Sequence, residues 1–234
     1  IYIDSGSTDG TVEFMREQGI EPHIIPPVEF HHGRTRNLAA SLADNEILVL
    51  LSGDAIPTDE TWLRKLVTHF HDPKVGGVYG RQIATETIGP LRTHGMEYTF
   101  SDQREVRELF PGMKGSLHMV RFSNANSAIR ASLWRKFKFH ENVIVAEDHW
   151  VCYNILKLGM KVVYEPEAAV YHCHERSVWG EFRFAVENAI SLKRMGVFDD
   201  PTFGGEISYG MDRVKFDWNH FIQQHRYGLA IKSV

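Results

Sequence analysis

The sequence predicts an α/β protein with a mostly parallel sheet flanked by helices. Short apolar segments typical of strands alternate with segments whose apolar residues recur every three or four positions, as in helices. The segment 46–51 (EILVLL) is continuously apolar, which is typical of a strand covered on both faces. Polar loops rich in Gly, Ser and Asp follow the first and third predicted strands, at the sheet edge where open α/β folds bind ligands.

Short runs of β-branched and aromatic residues predict strands at 1–3, 23–25, 46–51, 75–80, 161–166 and 168–172. Apolar spacing and capping residues predict helices at 8–19, 34–43, 59–70, 147–159 and 177–196. Residues 126–137 indicate a strand that runs into a short helix. Residues 81–122, with scattered Gly, Pro and Thr, predict a long excursion across one face and a polar helix near 97–109. We expect one domain over 1–175 and a helical C-terminal extension over 176–234.

The composition excludes several classes of protein. The chain has 234 residues and a net charge of -4, which gives a nucleic-acid partner no electrostatic support. The two cysteines, Cys152 and Cys173, form no CxxC motif, so we expect no disulfide framework and a reducing cytoplasmic location. No apolar run approaches the roughly 20 residues that span a bilayer. Because the chain opens on Ile1 rather than Met, we expect it to be a fragment.

The first candidate ligand site is the loop DSGSTDG at 4–10. Asp4 ends the first predicted strand, and the polar loop after it leads into a helix. The loop is either a capped turn or a site whose N–H groups bind an anionic or hydroxylated ligand. In FHHGRTRN (30–37), Arg34 and Arg36 lie at a helix start, where positive charge is unfavourable. These arginines are therefore either solvated or facing an anion.

Three further motifs carry metal-ligating or acid–base side chains. Asp54 follows the buried strand and is either a turn residue or a ligand for a divalent cation. Glu147 and Asp148 lie at the start of a helix. Carboxylates there are either stabilised by the helix dipole alone or also supply a general base. His172 and His174 share one face of a strand, as metal ligands or as partly exposed strand histidines.

The order of these motifs is more specific than any one of them. The succession DSGSTDGT, RN, SGDA, ED and VYHCH resembles the family 2 glycosyltransferases, inverting enzymes with the Rossmann-like GT-A fold. The resemblance covers roughly residues 1–195. FHHGRTRN, SGDAIP and VYHCHERS resemble most the rhamnosyltransferase-type branch. The resemblance to the family implies a nucleotide-binding half over 1–80 and an acceptor-binding half over 81–175.

The resemblance also implies roles for the residues of the first half. Asp4, with Ser5 and Ser7 in the same loop, would contact the base or ribose of a sugar nucleotide. Arg36 and Asn37 would lie beside the nucleotide, with Arg36 a candidate for binding the diphosphate.

By the same resemblance, Asp54 matches the last Asp of the family's Asp-x-Asp motif, which coordinates a divalent cation, Mg²⁺ or Mn²⁺. His172 matches a histidine that completes this metal site, and His174 is a further candidate ligand. Asp148 matches the catalytic base, and Glu147 is its partner in the Glu-Asp pair.

Two departures from the family pattern bear on these expectations. Ser52 stands where the first Asp of Asp-x-Asp is usual, which removes one charge from the metal site. The family normally has a strand and a helix ahead of DSGSTDG. That strand carries a loop that binds the base of the nucleotide. Without it, we expect a gap in the sheet and a nucleotide pocket that lacks one wall.

The predicted function is inverting transfer of a sugar, rhamnose in this branch, from a nucleoside-diphosphate sugar to a hydroxyl of a glycan or lipid-linked acceptor. Two alternatives remain open: a metal-dependent hydrolase built on Asp54, Asp148, His172 and His174, and a truncated, non-catalytic sugar-nucleotide-binding domain. The amphipathic segment 177–195 packs on the core or rests on the inner face of the membrane.

Overall fold

The computed structural model describes residues 1–204 and 206–233. The strands are β1 (Ile3–Asp4), β2 (His23–Ile24), β3 (Ile47–Leu51), β4 (Ile56–Pro57), β5 (Val75–Ile83), β6 (Glu105–Arg107), β7 (Gly115–Ser116), β8 (Asn126–Arg130), β9 (Lys161–Tyr171) and β10 (Phe203–Gly204). The helices are α1 (Thr11–Glu17), α2 (His32–Ser41), α3 (Trp62–Val67), α4 (Pro90–Thr99), α5 (Ala131–Phe137), α6 (Glu147–Lys157), α7 (Val178–Arg194), α8 (Glu206–Gln223) and α9 (Tyr227–Ser233).

A central six-stranded sheet confirms the predicted α/β class, but its strand directions correct the expectation of a mostly parallel sheet. The strand order is β3-β8-β5-β9-β4, and β6 also pairs with β9. Only β5 and β9 run parallel in this sheet, and the other pairs are antiparallel. The sheet is mixed because β8 returns from the long excursion and enters between β3 and β5 in the opposite direction.

The N-terminal strands stand apart from this sheet. β1 and β2 form a separate parallel pair in which Ile3 lies opposite His23. In the described residues β3 pairs only with β8, so its other side is an open edge. Val49 is 38% exposed and Leu51 is 43% exposed. The predicted burial of this strand on both faces is therefore wrong.

Helices cover both faces of the central sheet. Alternate residues of β9 face opposite sides, so that Tyr164 joins the larger core cluster and Val163 joins the smaller one. The larger cluster packs against Ile155 of α6, and the smaller one against Leu66 of α3. Each such side chain contributes about 1.5–3 kcal/mol when fully buried. This packing fixes α6 relative to the sheet.

The excursion between β5 and β8 differs from its prediction. The helix α4 ends at Thr99, and Glu105–Arg107 forms the strand β6, so the helix expected near 97–109 is wrong. The guanidinium of Arg107 is buried and donates to the carbonyl oxygens of His118, Met119 and Arg121. These tertiary bonds hold the segment as a strand against its local preference for a helix.

The C-terminal part is helical, and the predicted amphipathic helix is confirmed as α7. Two strands predicted at 161–166 and 168–172 form the single strand β9. Within the described part of the chain, no helix is both long and apolar enough to cross a membrane. The division into a domain over 1–175 and an extension after it stays a prediction.

Candidate active site

The loop after β1 is a hydrogen-bonded turn organised by Asp4. Its Oδ1 accepts the N–H groups of Gly6 and Ser7, both at 2.8 Å, and its Oδ2 accepts the Ser7 hydroxyl at 2.7 Å. The bonds from Ser7, more than that from Gly6, lower the pKa of the Asp4 carboxyl against the effect of burial. The turn leaves Ser7 exposed and Ser5 partly exposed. Contact of Asp4, Ser5 and Ser7 with a base or ribose stays a prediction.

The strand pair β4–β9 brings Asp54 and two histidines together. Ile56 lies opposite Tyr171 in antiparallel register. Continuing this register past the strand ends places Asp54 between His172 and His174. The Oδ1 of Asp54 lies 3.4 Å from His172 Nε2, and its Oδ2 lies 3.2 Å from His174 Nε2. The strand β9 ends at Tyr171, so the two histidines lie just past the strand and not on it as predicted, but a ring nitrogen of each lies near Asp54.

This cluster fits a divalent cation. One ligand atom from each of Asp54, His172 and His174 lies within 4.8 Å of the other two. Carboxylate oxygen and neutral imidazole nitrogen are the donors that divalent cations take in proteins. Burial lowers the pKa of His172, against the opposing effect of Asp54, and so favours the neutral imidazole that binds metals.

A side-chain amide orients His172 within the cluster. Gln82, at the end of β5, places its Oε1 2.7 Å from His172 Nδ1. Its Nε2 donates to the Ser123 hydroxyl at 2.7 Å. With Oε1 facing the ring, Nδ1 carries the proton and Nε2 keeps its lone pair toward Asp54. Such outer partners hold a ligand's ring in the orientation that metal binding needs.

The carboxylates at the start of α6 have different surroundings. Glu147 is buried and forms an ion pair with Arg36. Burial and the charge of Asp148 raise the pKa of Glu147 to about 7, and Arg36 offsets only part of this. Burial also opposes ionisation of Asp148, but the charge and hydrogen bond of His149, with Arg36, lower its pKa overall. Asp148 is the member of the pair that is ionised at neutral pH.

Asp148 accepts hydrogen bonds through both oxygens. Its Oδ1 lies 2.8 Å from both the backbone N and the ring Nδ1 of His149. Its Oδ2 accepts the backbone N–H of Asn124 at 3.3 Å. The side chain remains 16% exposed, so a hydroxyl can reach it from outside. A carboxylate that is ionised, oriented and accessible has the properties of a general base.

The segment Ser123–Asn124, just before β8, joins the two groups of residues. Ser123 accepts the bond from Gln82, which holds His172, while the next residue, Asn124, donates to Asp148. The Asn124 side chain is buried and accepts the Ser127 hydroxyl at 3.0 Å. Hydrogen bonds of these two neighbouring residues therefore link the cation cluster to the carboxylate pair.

Sequence reasoning missed Gln82, Ser123, Asn124 and His149. Only His149 had a usable signal, since it directly follows the Glu-Asp pair. The others act through a backbone N–H, a hydroxyl and an amide, which no motif distinguishes.

Asn37 is held by protein groups on every hydrogen-bonding position. Its Oδ1 accepts the Trp134 indole N–H and the Phe139 backbone N–H, both at 2.9 Å. Its Nδ2 donates to the Phe139 carbonyl at 2.9 Å and to Glu141 Oε1 at 2.7 Å. The amide thus has no position left for a ligand. Its predicted place beside a nucleotide stays untested, and its contacts here are structural.

Close packing of α2 places Arg36 at the site. A Cβ added at Gly33 would lie 2.3 Å from the carbonyl oxygen of His140, so only glycine permits this approach. From there Arg36 reaches Glu147 across the gap between helices. Diphosphate binding by Arg36 stays a prediction.

The fold is that of a GT-A glycosyltransferase. The chain belongs to glycosyltransferase family 2, because the model described as Glycosyl transferase family 2 matches residues 1–129. The predicted family and fold are confirmed.

Two curated relatives agree with this assignment. The O-antigen chain rhamnosyltransferase RfbN of Salmonella typhimurium is 34% identical over 186 residues. The O-antigen chain rhamnosyltransferase WbaN of Salmonella anatum is 31% identical over 185 residues. Each alignment covers 78% of this chain and 59% of the relative, so the chain spans about three fifths of the length of these proteins.

Solved structures share the fold at low sequence identity. The mannosyltransferase PcManGT from Pyrobaculum calidifontis, in complex with GDP-Man and Mn²⁺, has a TM-score of 0.56 at 19% identity, covering 84% of this chain and 53% of its own. Glucosyl-3-phosphoglycerate synthase from Mycobacterium tuberculosis, in complex with Mn²⁺, UDP-Glc and phosphoglyceric acid, has a TM-score of 0.55 at 15% identity, covering 83% of this chain and 67% of its own.

Proposed function

We propose that this chain transfers a sugar, with inversion, from a nucleoside-diphosphate sugar to a hydroxyl of a glycan or lipid-linked acceptor. One observation carries the proposal. Through Ser123 and Asn124, a cluster suited to a divalent cation and an ionised carboxylate are hydrogen-bonded into one site. An inverting transfer needs these two functions, one for the leaving group and one for the attacking hydroxyl.

Asp54, His172 and His174 are the residues that would hold the cation. A bound cation would supply positive charge against the diphosphate leaving group. We propose Mn²⁺ in preference to Mg²⁺, since two imidazoles join one carboxylate here and Mg²⁺ prefers oxygen ligands. The two structural neighbours described above, both solved with Mn²⁺, support this choice.

Asp148 is the general base that accepts the proton of the acceptor hydroxyl. The acceptor hydroxyl oxygen forms a bond to the anomeric carbon as the bond from that carbon to the diphosphate oxygen breaks. The hydroxyl proton passes to an oxygen of Asp148, and the bonding electron pair leaves with the nucleoside diphosphate. His149 and Asn124 keep the carboxylate ionised and oriented for this transfer. The partly protonated Glu147 holds Arg36 through an ion pair.

The names of the relatives support rhamnose as the sugar and an O-antigen chain as the acceptor. We propose deoxythymidine-diphosphate rhamnose as the donor. The reaction would take place in the cytoplasm.

Substitution of Asp148, the proposed general base, tests the proposal. Asp148→Asn keeps the size of the side chain but cannot accept the proton, so turnover should fall by at least about 100-fold. Donor binding, measured by thermal shift with the donor, should stay within about twofold of wild type. The surface variant Asp44→Asn serves as the control and should retain full turnover.

Near-normal transfer by Asp148→Asn would contradict the assignment. Hydrolysis of simple phosphoesters without nucleotide-sugar binding would instead support a metal-dependent hydrolase. The geometry disfavours that alternative, because the ligand cluster found in the described residues contains Asp54 and the two histidines but not Asp148.

A further inference from the structure

The helix α7 presents an apolar face to solvent. Five large side chains on it are 40–66% exposed: Val178, Trp179, Phe182, Val186 and Ile190. At 3.6 residues per turn they share one side of the helix, which we call the outer face of α7. The rings of Trp179 and Phe182 stack at a centroid distance of 5.1 Å. A contiguous apolar face of this kind marks an interaction surface more often than scattered exposed residues do.

The charges around the outer face are basic. Arg183, Lys193 and Arg194 are exposed beside it. Both carboxylates of the helix are paired with arginines. Glu181 is 3.2 Å from Arg92, and Glu187 is 3.7 Å from Arg183. Within the described residues, no carboxylate lies within ion-pair distance of Lys193 or Arg194. An apolar face bordered by cations matches the surface of a bilayer that contains anionic lipids.

We propose that the outer face of α7 lies on the surface of an anionic membrane, with Trp179 and Phe182 at the boundary between headgroups and acyl chains. A second copy of the chain is a poorer occupant. Packing through the same face would bring Lys193 and Arg194 of both copies, and no unpaired carboxylate, into one interface.

This placement also orients the site. The helix begins at Val178, four residues after His174 of the cation cluster. Membrane contact through α7 would therefore hold the cluster close to the lipid surface, where a lipid-linked acceptor is presented. Only this last consequence rests on the proposed function, since the contact itself requires neither donor nor acceptor.

Vesicle co-sedimentation tests the contact without any substrate. The wild-type chain should sediment with vesicles of phosphatidylcholine containing phosphatidylglycerol, and much less with phosphatidylcholine alone. The double variant Lys193→Glu/Arg194→Glu should weaken binding to the anionic vesicles by at least about tenfold. Arg135→Glu/Lys136→Glu, which alters an equivalent basic pair in the last turn of α5, should bind like the wild type.

A second pair of variants tests the apolar contact. Phe182→Ser should weaken vesicle binding about tenfold, because the ring leaves the lipid phase. Phe14 of α1 is almost equally exposed, at 58% against 57%, and Phe14→Ser should have no effect.

Equal binding by the α7 variants and their controls would overturn the proposal, and so would failure of the wild type to bind anionic vesicles. A concentration-dependent dimer that Phe182→Ser dissociates would assign the face to a second copy instead. Loss of transfer activity in Asp148→Asn, by contrast, leaves the vesicle result unchanged.

Discussion

Asp148 and His149 form a hydrogen-bonded pair at the first turn of α6. The imidazole does not need to touch the substrate to matter, because it sets the ionisation of the neighbouring carboxylate. Together with Arg36 and the N–H of Asn124, it lowers the pKa of Asp148 despite burial. His149 is therefore a positioning residue for the base.

Removal of His149 should change the pH dependence of the reaction. In His149→Ala the pKa of Asp148 loses a lowering contribution and rises, so the acidic limb of the kcat profile should move to higher pH. At a pH above the acidic limbs of both the wild-type and the variant profiles, turnover should fall by less than about tenfold, since the Asp148 carboxylate itself remains. The profile is measured beside His71→Ala, an exposed control. An unchanged acidic limb would show that His149 does not act on Asp148.

At the residue scale, the sequence predicts the candidate metal ligands better than the residues that hydrogen-bond to the site side chains. The cluster of Asp54, His172 and His174 could be predicted because each side chain belongs to a motif in a specific order. Gln82 and Asn124 could not, since their contribution depends on tertiary contacts between distant segments.

At the scale of elements, Asn37 connects α2 by hydrogen bonds to α5 and to the segment that follows it. Its four hydrogen bonds reach Trp134, Phe139 and Glu141. The resemblance predicts a nucleotide contact for this residue, whereas its contacts predict a structural role. The two roles have different measurable consequences.

Asn37→Ala should lower the free energy of unfolding by about 2–3 kcal/mol, because it leaves buried groups of Trp134 and Phe139 without partners. For a chain of this size the melting temperature should fall by about 4–12 °C. The control Asn142→Ala changes an exposed asparagine and should leave the melting temperature nearly unchanged. Unchanged stability with lost nucleotide affinity would restore the predicted nucleotide contact.

Local pattern predicted the amphipathic helix α7 and, as two separate strands, most of β9, but it did not predict β6 or the direction of β8. The strand β6 depends on Arg107 and its three carbonyl partners, and these lie in a segment that has no periodicity of its own. Strand direction depends on where the chain re-enters the sheet, which a local pattern does not contain.

At the scale of the whole molecule, the site is assembled from three distant parts of the chain. Asp54 precedes β4, the two histidines follow β9, and Asp148 opens α6. The central sheet joins the predicted nucleotide-binding and acceptor-binding halves, because β8 and β9 pair with strands of the first half. Binding of cation and nucleotide should therefore be coupled through one shared site.

The most direct test of this account is a titration of Mn²⁺, followed by electron paramagnetic resonance, with and without deoxythymidine diphosphate. The account predicts that the nucleotide tightens Mn²⁺ binding by at least about tenfold, and that Mn²⁺ tightens nucleotide binding by the same factor. Asp54→Asn should abolish this coupling, while the exposed control Asp44→Asn should retain it. Mn²⁺ binding that is indifferent to the nucleotide, or unaltered in Asp54→Asn, would contradict it.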